Sequence, residues 1–556
     1  MSNVADSFDS FNSNLDSTNS ECLVPLPPME HNLWGTPDES KELSVSVQKL
    51  LHKLLGVGEL TLHRRTTAQT ELSPIRLGDA DLAALGEIVG PGYVTTDKEQ
   101  RIRRARGKSY PDLVDWRMNR VIEAPDAVVA PGTETEVWEV LKFCSREKIA
   151  VVPFGGGSSV VGGLSPKKGG MRAVISIDLR RFDQLEDVDP VSCEATFGAG
   201  LSGPHAELLL GEYGLQIGHY PQSFPYASLG GFAATRSSGQ SSAGYGRFDE
   251  MVRSLTVVTP KGIMEVGWKA PMSAAGPDLR HVFLGSEGSF GIITKLRLQV
   301  HKIPQTKRYE AFRFPDFAAG AAAVRAVVQE GCGPTVIRLS DEIESSLNLS
   351  NTDSMGSAAT SKVGCLCLTM FEGSENHTKS RHEETRAVLL AHGGTSLGEM
   401  PVREWEQGRF GAPVLRDGLI DNGAICETLE TATDWSNTTR LKTAVTEALT
   451  TELAKTGTIS VVMCHISHVY AGGCSLYFTV VAAQKGDDPQ AQWWPVKHAA
   501  SQAIIDAGGT TTHHHGVGTD HRPFLKGEIG TPAVELIRAI KHELDPVGIL
   551  NPEKLV

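Results

Sequence analysis

A chain of 556 residues is several times the length of a typical domain of roughly 100–150 residues, so two or three domains with sizeable cores are expected. Hydrophobic residues make up 40%, charged residues 21%, and the formal net charge is −13, a balance that excludes a nucleic-acid-binding surface built from clustered Lys and Arg. Nine cysteines without compact spacing point to thiols in a reducing compartment, and there is neither a signal peptide nor an apolar run long enough to cross a membrane, so a cytosolic protein is expected.

Residues 1–40 are rich in Ser, Asp, Asn and Pro and predict a disordered or extended N-terminal segment. An N-terminal helical region, 41–120, follows. Leu43, Val47, Leu50, Leu51, Leu54 and Leu55 fall at helical spacing, which predicts a core-packing helix, with a basic helix on a membrane surface as the alternative. The basic run Arg101 to Arg106 predicts a solvated helix face, with an anion site as the alternative.

From Pro125 the pattern changes to short strands: Ala127–Ala130, Ala150–Phe154, Ala173–Asp178, Cys193–Gly198, Ser254–Thr259 and Ile292–Val300, with a helix around Val137–Ser145. Pro153 and Phe154 run into Gly155, Gly156, Gly157, Ser158 and Ser159, a turn whose successive backbone N–H groups suit phosphate oxygens. The glycine spacing does not open a long helix, which excludes a Rossmann dinucleotide site. A second small-residue stretch spans Pro221 to Gly239 and contains Gln222, Ser223, Phe224, Pro225, Tyr226, Ala227, Ser228, Gly231, Phe232, Ala233 and Ala234. A third is Gly244 to Val252, and a fourth runs from Gly285 through Glu287, Gly288, Ser289, Phe290, Gly291, Ile292 and Ile293.

In this order and spacing the four pieces resemble the FAD-binding domain of the vanillyl-alcohol oxidase-like, p-cresol methylhydroxylase-type flavoproteins. The resemblance implies an α+β fold, with a flavin domain of two α+β subdomains at 121–303 and an α+β cap of FAD-linked oxidase C-terminal type, built on an antiparallel sheet, at 304–505. A segment at 506–556 returns to the flavin. It also implies that the glycine turn holds the FAD diphosphate, that the 222–234 stretch wraps diphosphate and ring, and that 287–293 closes over the cofactor. Many relatives carry a histidine after the glycine turn that links covalently to the flavin; Ser158 and Ser159 stand there, which implies noncovalent FAD.

In the cap, helices are expected at Ala319–Glu330 and Thr443–Lys455, a strand at Val363–Met370, and a small polar loop at 351–362. Near the C-terminus, His513, His514 and His515 are closed by Gly516 and Gly518. Alone, three imidazoles fit a metal-binding tract or an acid/base site. With Trp34, Arg338, Arg416 and Tyr477 they resemble the alkyldihydroxyacetonephosphate synthases over residue 32 to the end. That likeness implies exchange of the acyl chain of acyl-dihydroxyacetone phosphate for a fatty alcohol at flavin N5, with no net redox change.

Arg416 is then expected to hold the substrate phosphate, and Tyr477 with the histidines to serve as base or relay. Arg338 is expected to lower the phenol pKa or orient it. A structural ion pair for each arginine, and a core position for Tyr477, are the plain alternatives. His465 and His468 suggest packing or an altered substrate pocket. A metal-dependent D-2-hydroxyacid dehydrogenase, or another alcohol oxidase, is the second reading. Its sister branch carries Gly-Glu-His-Gly where this chain has His514-His515-Gly516, so no metal set is expected unless Glu427 or Glu430 replaces the missing carboxylate. A homodimer and peripheral membrane contact are further implied, and no peroxisomal signal is recognised.

Overall fold

The computed structural model describes residues 22–58, 61–267, 269–347 and 364–556. The polar loop expected at 351–362 lies outside the described residues, as does the start of the N-terminal segment.

Strands β1 (Val94–Thr95), β2 (Ala127–Val129), β3 (Ile149–Phe154) and β4 (Ala173–Asp178) form one sheet in the order β1-β2-β4-β3. β2, β4 and β3 run parallel, and β2 and β4 are buried throughout, as strands covered on both faces require. The crossover helix Glu134–Glu147 starts on Thr133, whose hydroxyl accepts from the Glu136 N–H at 3.1 Å. β3 lies at the sheet edge, where Pro153 costs no ladder bond. The C-terminal segment covers that edge. The Val151 N–H donates to the Ile549 carbonyl and the Asn551 N–H to the Val151 carbonyl, both at 2.8 Å.

Next come β5 (Leu185–Asp189), β6 (Glu194–Gly198), β7 (Leu215–Gln216), β8 (Val252–Thr259), β9 (Gly262–Gly267), β10 (Ile292–Gln299) and β11 (His301–Lys302). Five of them form an antiparallel sheet in the order β5-β6-β10-β8-β9, and β7 pairs with β11 alone. The cap sheet holds β12 (Thr306–Phe314), β13 (Val336–Ser340), β14 (Cys365–Gly373), β15 (Thr395–Gly398), β16 (Ala424–Asp434), β17 (Ser460–Ile466) and β18 (Gly473–Ala483). Its order is β15-β12-β14-β13-β17-β18-β16, antiparallel throughout.

The helices Phe317–Gln329, Thr438–Lys455 and Pro489–Asp506 share the cap core with one face of this sheet. Val324, Leu441, Val445, Leu449, Phe478 and Trp493 meet there, each worth about 1.5–3 kcal/mol of burial for a side chain of this size. The period of two along β18 sends Leu476, Phe478 and Val480 into that core. Tyr477 and Thr479 therefore face the other way, which answers the question of whether Tyr477 is a core aromatic.

The helix Val45–Leu55 packs Val47 and Leu55 against Leu415, Leu419 and Met463 of the cap, as a core-packing helix should. The basic run is a correction. Arg101 and Arg104 are not solvated: Arg101 donates to the Pro125 carbonyl at 2.7 Å and the Ser73 carbonyl at 3.0 Å. Arg104 donates to Asp178, at the end of β4, at 2.6 and 2.8 Å. A charge run reads as surface because the folded partner, 74 residues away, is invisible locally. Burial opposes ionisation of Asp178, yet the Arg180 and Arg104 guanidiniums outweigh it and hold the carboxyl at about 2. Removing one member of a buried pair strands the other charge. Arg104→Ala is therefore expected to cost about 3 kcal/mol of stability, read as a lowered melting temperature. Arg172→Ala, which breaks a more exposed pair with Asp81, should change stability by less than about 1 kcal/mol.

Candidate active site

β3 delivers Phe154 directly into the turn Gly155–Ser159, and no helix follows it. The turn is pressed against the second small-residue stretch: a Cβ on Gly156 would meet the Tyr226 carbonyl, and one on Gly155 the Ser228 hydroxyl. Gly157 has φ +74°, a left-handed conformation that favours glycine. Between these segments and the cap lies a cavity of about 640 Å³. From the expected cofactor set, Pro153 to Ser159, Gln222, Ser223, Ala227, Ser228, Gly231, Phe232, Ala234, Glu287, Gly288, Gly291, Ile292 and Ile293 line it. The side-chain amide nitrogen of Gln222 and amide oxygen of Asn551, both on residues of the lining, are buried without a hydrogen-bond partner. A cradle of bare backbone with spare polar atoms fits a dinucleotide cofactor.

Six residues of that set stand off the lining. Phe224 stacks on Phe410 with ring centroids 5.7 Å apart, and Pro225 lies in the turn beside it. The Tyr226 hydroxyl donates to Glu39. Ala233 and Phe290 are buried in the core of the second sheet, and the Ser289 carbonyl accepts from Lys541 at 2.8 Å. The small-residue pattern marks the whole segment, but only one side of it can face a ligand.

The opposite wall is the free face of the cap sheet. Ser340 on β13 pairs with His465 on β17, His465 with Tyr477 on β18, and Tyr477 with Glu430 on β16. Directly opposed residues share a face, so these side chains form one row across four strands. The His465 ring stacks on Tyr477 at 4.9 Å and 18°. Arg338 does not reach the phenol. It pairs instead with Glu344 at 2.7 Å and with both ring nitrogens of His465 at 3.0–3.1 Å. Burial pushes the Tyr477 phenol up to about 12, the reverse of the lowering expected from Arg338. Arg338 therefore forms an ion pair with Glu344 and reaches Tyr477 only through the His465 ring stacked on it.

The histidine segment crosses the cavity as a loop held at both ends by buried carboxylates. Glu430 accepts from the N–H groups of His513 at 2.6 Å, His514 at 3.1 Å and His515 at 2.9 Å, and from the Thr512 hydroxyl at 2.5 Å. Glu287 accepts from Val517 at 2.8 Å and Gly518 at 2.9 Å. Glu427 accepts from the Tyr110 and Thr428 N–H groups. Both Glu427 and Glu430 are thus engaged by backbone donors. The sequence signal for them is two glutamates three residues apart in a strand whose start, Ala424-Ile425-Cys426, is apolar.

Only His514 and His515 of the triplet line the cavity; His513 lies behind them, its Nδ1 2.9 Å from Nδ1 of His514. Burial lowers the pKa of all three, His515 to about 3, so they stand as neutral imidazoles. For Glu430 burial is outweighed by the positive charge that the three imidazoles would carry once protonated, together with the Thr512 hydroxyl, and its carboxyl lies well below the usual range. His465 and His468, which also line the cavity, are pushed down by burial too. Among the described residues, His468, His513 and His514 alone bring three ligating atoms within 4.8 Å of one another.

Arg416, on the helix Ala412–Asp421, lines the same cavity and is 7% exposed. Its Nε and Nη2 are buried with no hydrogen-bond partner. A buried guanidinium left unsatisfied is costly, so its position points to an anion that completes it. The wall beside it is apolar, with Leu366, Leu368, Trp405, Leu415, Leu419 and Met463.

Two family models match the chain: an FAD binding domain at residues 125–267 and the C-terminal domain of FAD linked oxidases at 303–555. The chain is similar to the alkyldihydroxyacetonephosphate synthase of Trypanosoma brucei brucei, 32% identical over 85% of this chain and 80% of that protein. The synthase of Dictyostelium discoideum is 32% identical over 84% and 79%. A solved alkyldihydroxyacetonephosphate synthase superposes with a TM-score of 0.81 at 27% identity, covering 95% of this chain and 99% of that one. The cofactor is FAD, and the fold is the α+β flavin domain with its antiparallel cap. The chain belongs to the alkyldihydroxyacetonephosphate synthase family of FAD-dependent enzymes.

Proposed function

We propose that this enzyme exchanges the acyl group of acyl-dihydroxyacetone phosphate for a fatty alcohol, giving an ether-linked product and a fatty acid with no net redox change. The observation that carries the reading is Arg416, a buried guanidinium with spare donors on the same cavity as Tyr477, His514 and His515. Its planar fork suits a phosphate. The apolar wall beside it offers surface to the two long chains that must exchange.

In this reading Gly155 to Ser159 and the lining residues of 222–234 and 287–293 hold the FAD. Bound FAD supplies an electron-accepting ring that stabilises charge on the carbon α to the ketone. His514, neutral through burial, takes the α proton and returns it to the same carbon once the alcohol has replaced the acyl group. Tyr477, with its pKa near 12, stays a phenol and acts as a hydrogen-bond donor to substrate oxygen rather than as a base. His515 and the Arg338–Glu344–His465 network hold the ring stack in place. The flavin domain is assigned to 121–303, the cap to 304–505, and 506–556 to the segment that brings the histidines to the cofactor. A cytosolic homodimer in peripheral contact with a membrane, the reservoir of fatty alcohol, completes the proposal; no described helix is long and apolar enough to cross one. Sedimentation at twice the chain mass is the expected result for the dimer.

The deciding experiment offers acyl-dihydroxyacetone phosphate and labelled fatty alcohol without an electron acceptor. Incorporation of label supports the proposal. Absence of label, together with anaerobic bleaching of the flavin by a D-2-hydroxyacid and formation of the ketoacid, would overturn it. Arg416→Ala should raise KM for the phosphate substrate by about 10–100-fold, the worth of a charged hydrogen bond, with flavin absorbance unchanged. Tyr477→Phe should lower kcat for exchange by about 100-fold; a variant at full rate would remove Tyr477 from the chemistry.

A further inference from the structure

Two hydrogen bonds in series lead from the cavity towards the outside of the cap. His514 lines the cavity, and its Nδ1 lies 2.9 Å from Nδ1 of His513. Nε2 of His513 lies 2.7 Å from the Tyr470 hydroxyl. His513 is 7% exposed and does not line the cavity, whereas Tyr470 is half-buried and is followed by the exposed Ala471 and Gly472. The chemistry proposed above uses neither His513 nor Tyr470.

The pairing of like atoms is informative. Two Nδ1 atoms at 2.9 Å share a proton only when one ring carries it there and the other does not. Each ring then has its second nitrogen in the complementary state. The hydroxyl beyond can donate and accept, so the three groups satisfy the condition for passing a proton end to end. Burial keeps both imidazoles neutral, as such a chain requires. The charged and titratable groups around it are Glu430, 3.4 Å from His514 Nδ1, and His468, stacked on His513 at 5.1 Å. Arg247 bonds to Tyr470, with Asp249 and Glu250 acting on it from beyond.

The exchange proposed above turns an ester and an alcohol into an ether and a carboxylate, and so frees one proton per turnover inside a cavity. We propose that His513 and Tyr470 form a proton outlet that carries this proton from His514 to solvent. The inference rests on the synthase reading and deepens it. The hydroxyl proton of the alcohol, lost as its oxygen bonds to the α carbon, binds Nε2 of His514, whose Nδ1–H passes to Nδ1 of His513. The Nε2–H of His513 passes to the Tyr470 oxygen, and the Tyr470 O–H proton passes to water. One proton enters, one leaves, and no electrons move. His513 and Tyr470 are thus positioning and relay residues that act through His514.

The test uses the FAD-loaded full chain and labelled-alcohol exchange. Tyr470→Phe keeps the ring and removes one link. Its kcat is expected to fall about tenfold with KM unchanged, and rising imidazole buffer is expected to restore most of the loss. The wild-type rate in mixed H₂O and D₂O should show several protons in flight, the variant's fewer. His513→Gln, checked for flavin absorbance and melting temperature, should show the same buffer rescue. Unchanged kcat, or a fall that imidazole does not relieve in either variant, overturns the outlet and leaves a structural role. A wild-type enzyme that incorporates no label overturns the synthase reading itself, a result distinct from loss of the relay.

Discussion

The contact on which the site depends is the Glu430 carboxylate beneath the histidine loop. Three consecutive N–H groups converging on one point have no partner in any regular structure, and buried without one they would cost several kcal/mol together. An ionised carboxylate, with its several lone pairs, satisfies them at once and takes the Thr512 hydroxyl as well. Glu430 is also the cross-strand partner of Tyr477. One side chain therefore fixes both the loop and its distance from the phenol. Glu287 repeats the device from the flavin side, so the loop is suspended between the two layers that enclose the cavity.

This arrangement decides the charge state of the site. A carboxylate beside imidazoles raises their pKa, and burial lowers it; burial wins here because the carboxylate is engaged by backbone donors and the rings are cut off from water. The result is a set of uncharged acid/base groups. Other buried cations are answered within the fold: Arg338 by Glu344, Arg104 by Asp178, Lys497 by Asp520. Arg416 differs, since two of its guanidinium nitrogens are buried without an acceptor. A cavity with neutral imidazoles, an apolar wall and a buried guanidinium lacking acceptors suits a ligand that is apolar along much of its length and anionic at one end.

What the sequence made legible follows from the range of the interactions involved. The glycine turn, the small-residue stretch and the strands around them depend on backbone geometry and period, which are local; Ala173–Asp178 is found in the structure at the bounds read from the sequence. The orientation of Tyr477 is not legible, since Leu476, Tyr477 and Phe478 follow one another on β18 and all three types tolerate burial. It is settled by the helices stacked on the far face. The burial of Arg101 and Arg104 is not legible because their partners are set by tertiary packing, whereas an ion pair for Arg338 is among the alternatives the sequence leaves open. His513 was grouped with its neighbours by adjacency, although consecutive residues in a loop point in different directions.

The cap sheet couples stability to chemistry through register. Along β18, Leu476, Phe478 and Val480 build the helix-covered core while Tyr477 and Thr479 face the cavity. A slip of one residue would place Phe478 among the histidines and bury the phenol in hydrocarbon. Pairing with β16 from Ala424 to Asp434, residue by residue, and with β17 on the other side makes that slip costly. The same fold serves redox enzymes and the synthases alike, so the reaction is not a property of the fold. It resides in which side chains line the cavity: a phenol and an imidazole set by this locked register, a histidine loop clasped by Glu430, and a helix-borne arginine with two guanidinium nitrogens lacking an acceptor.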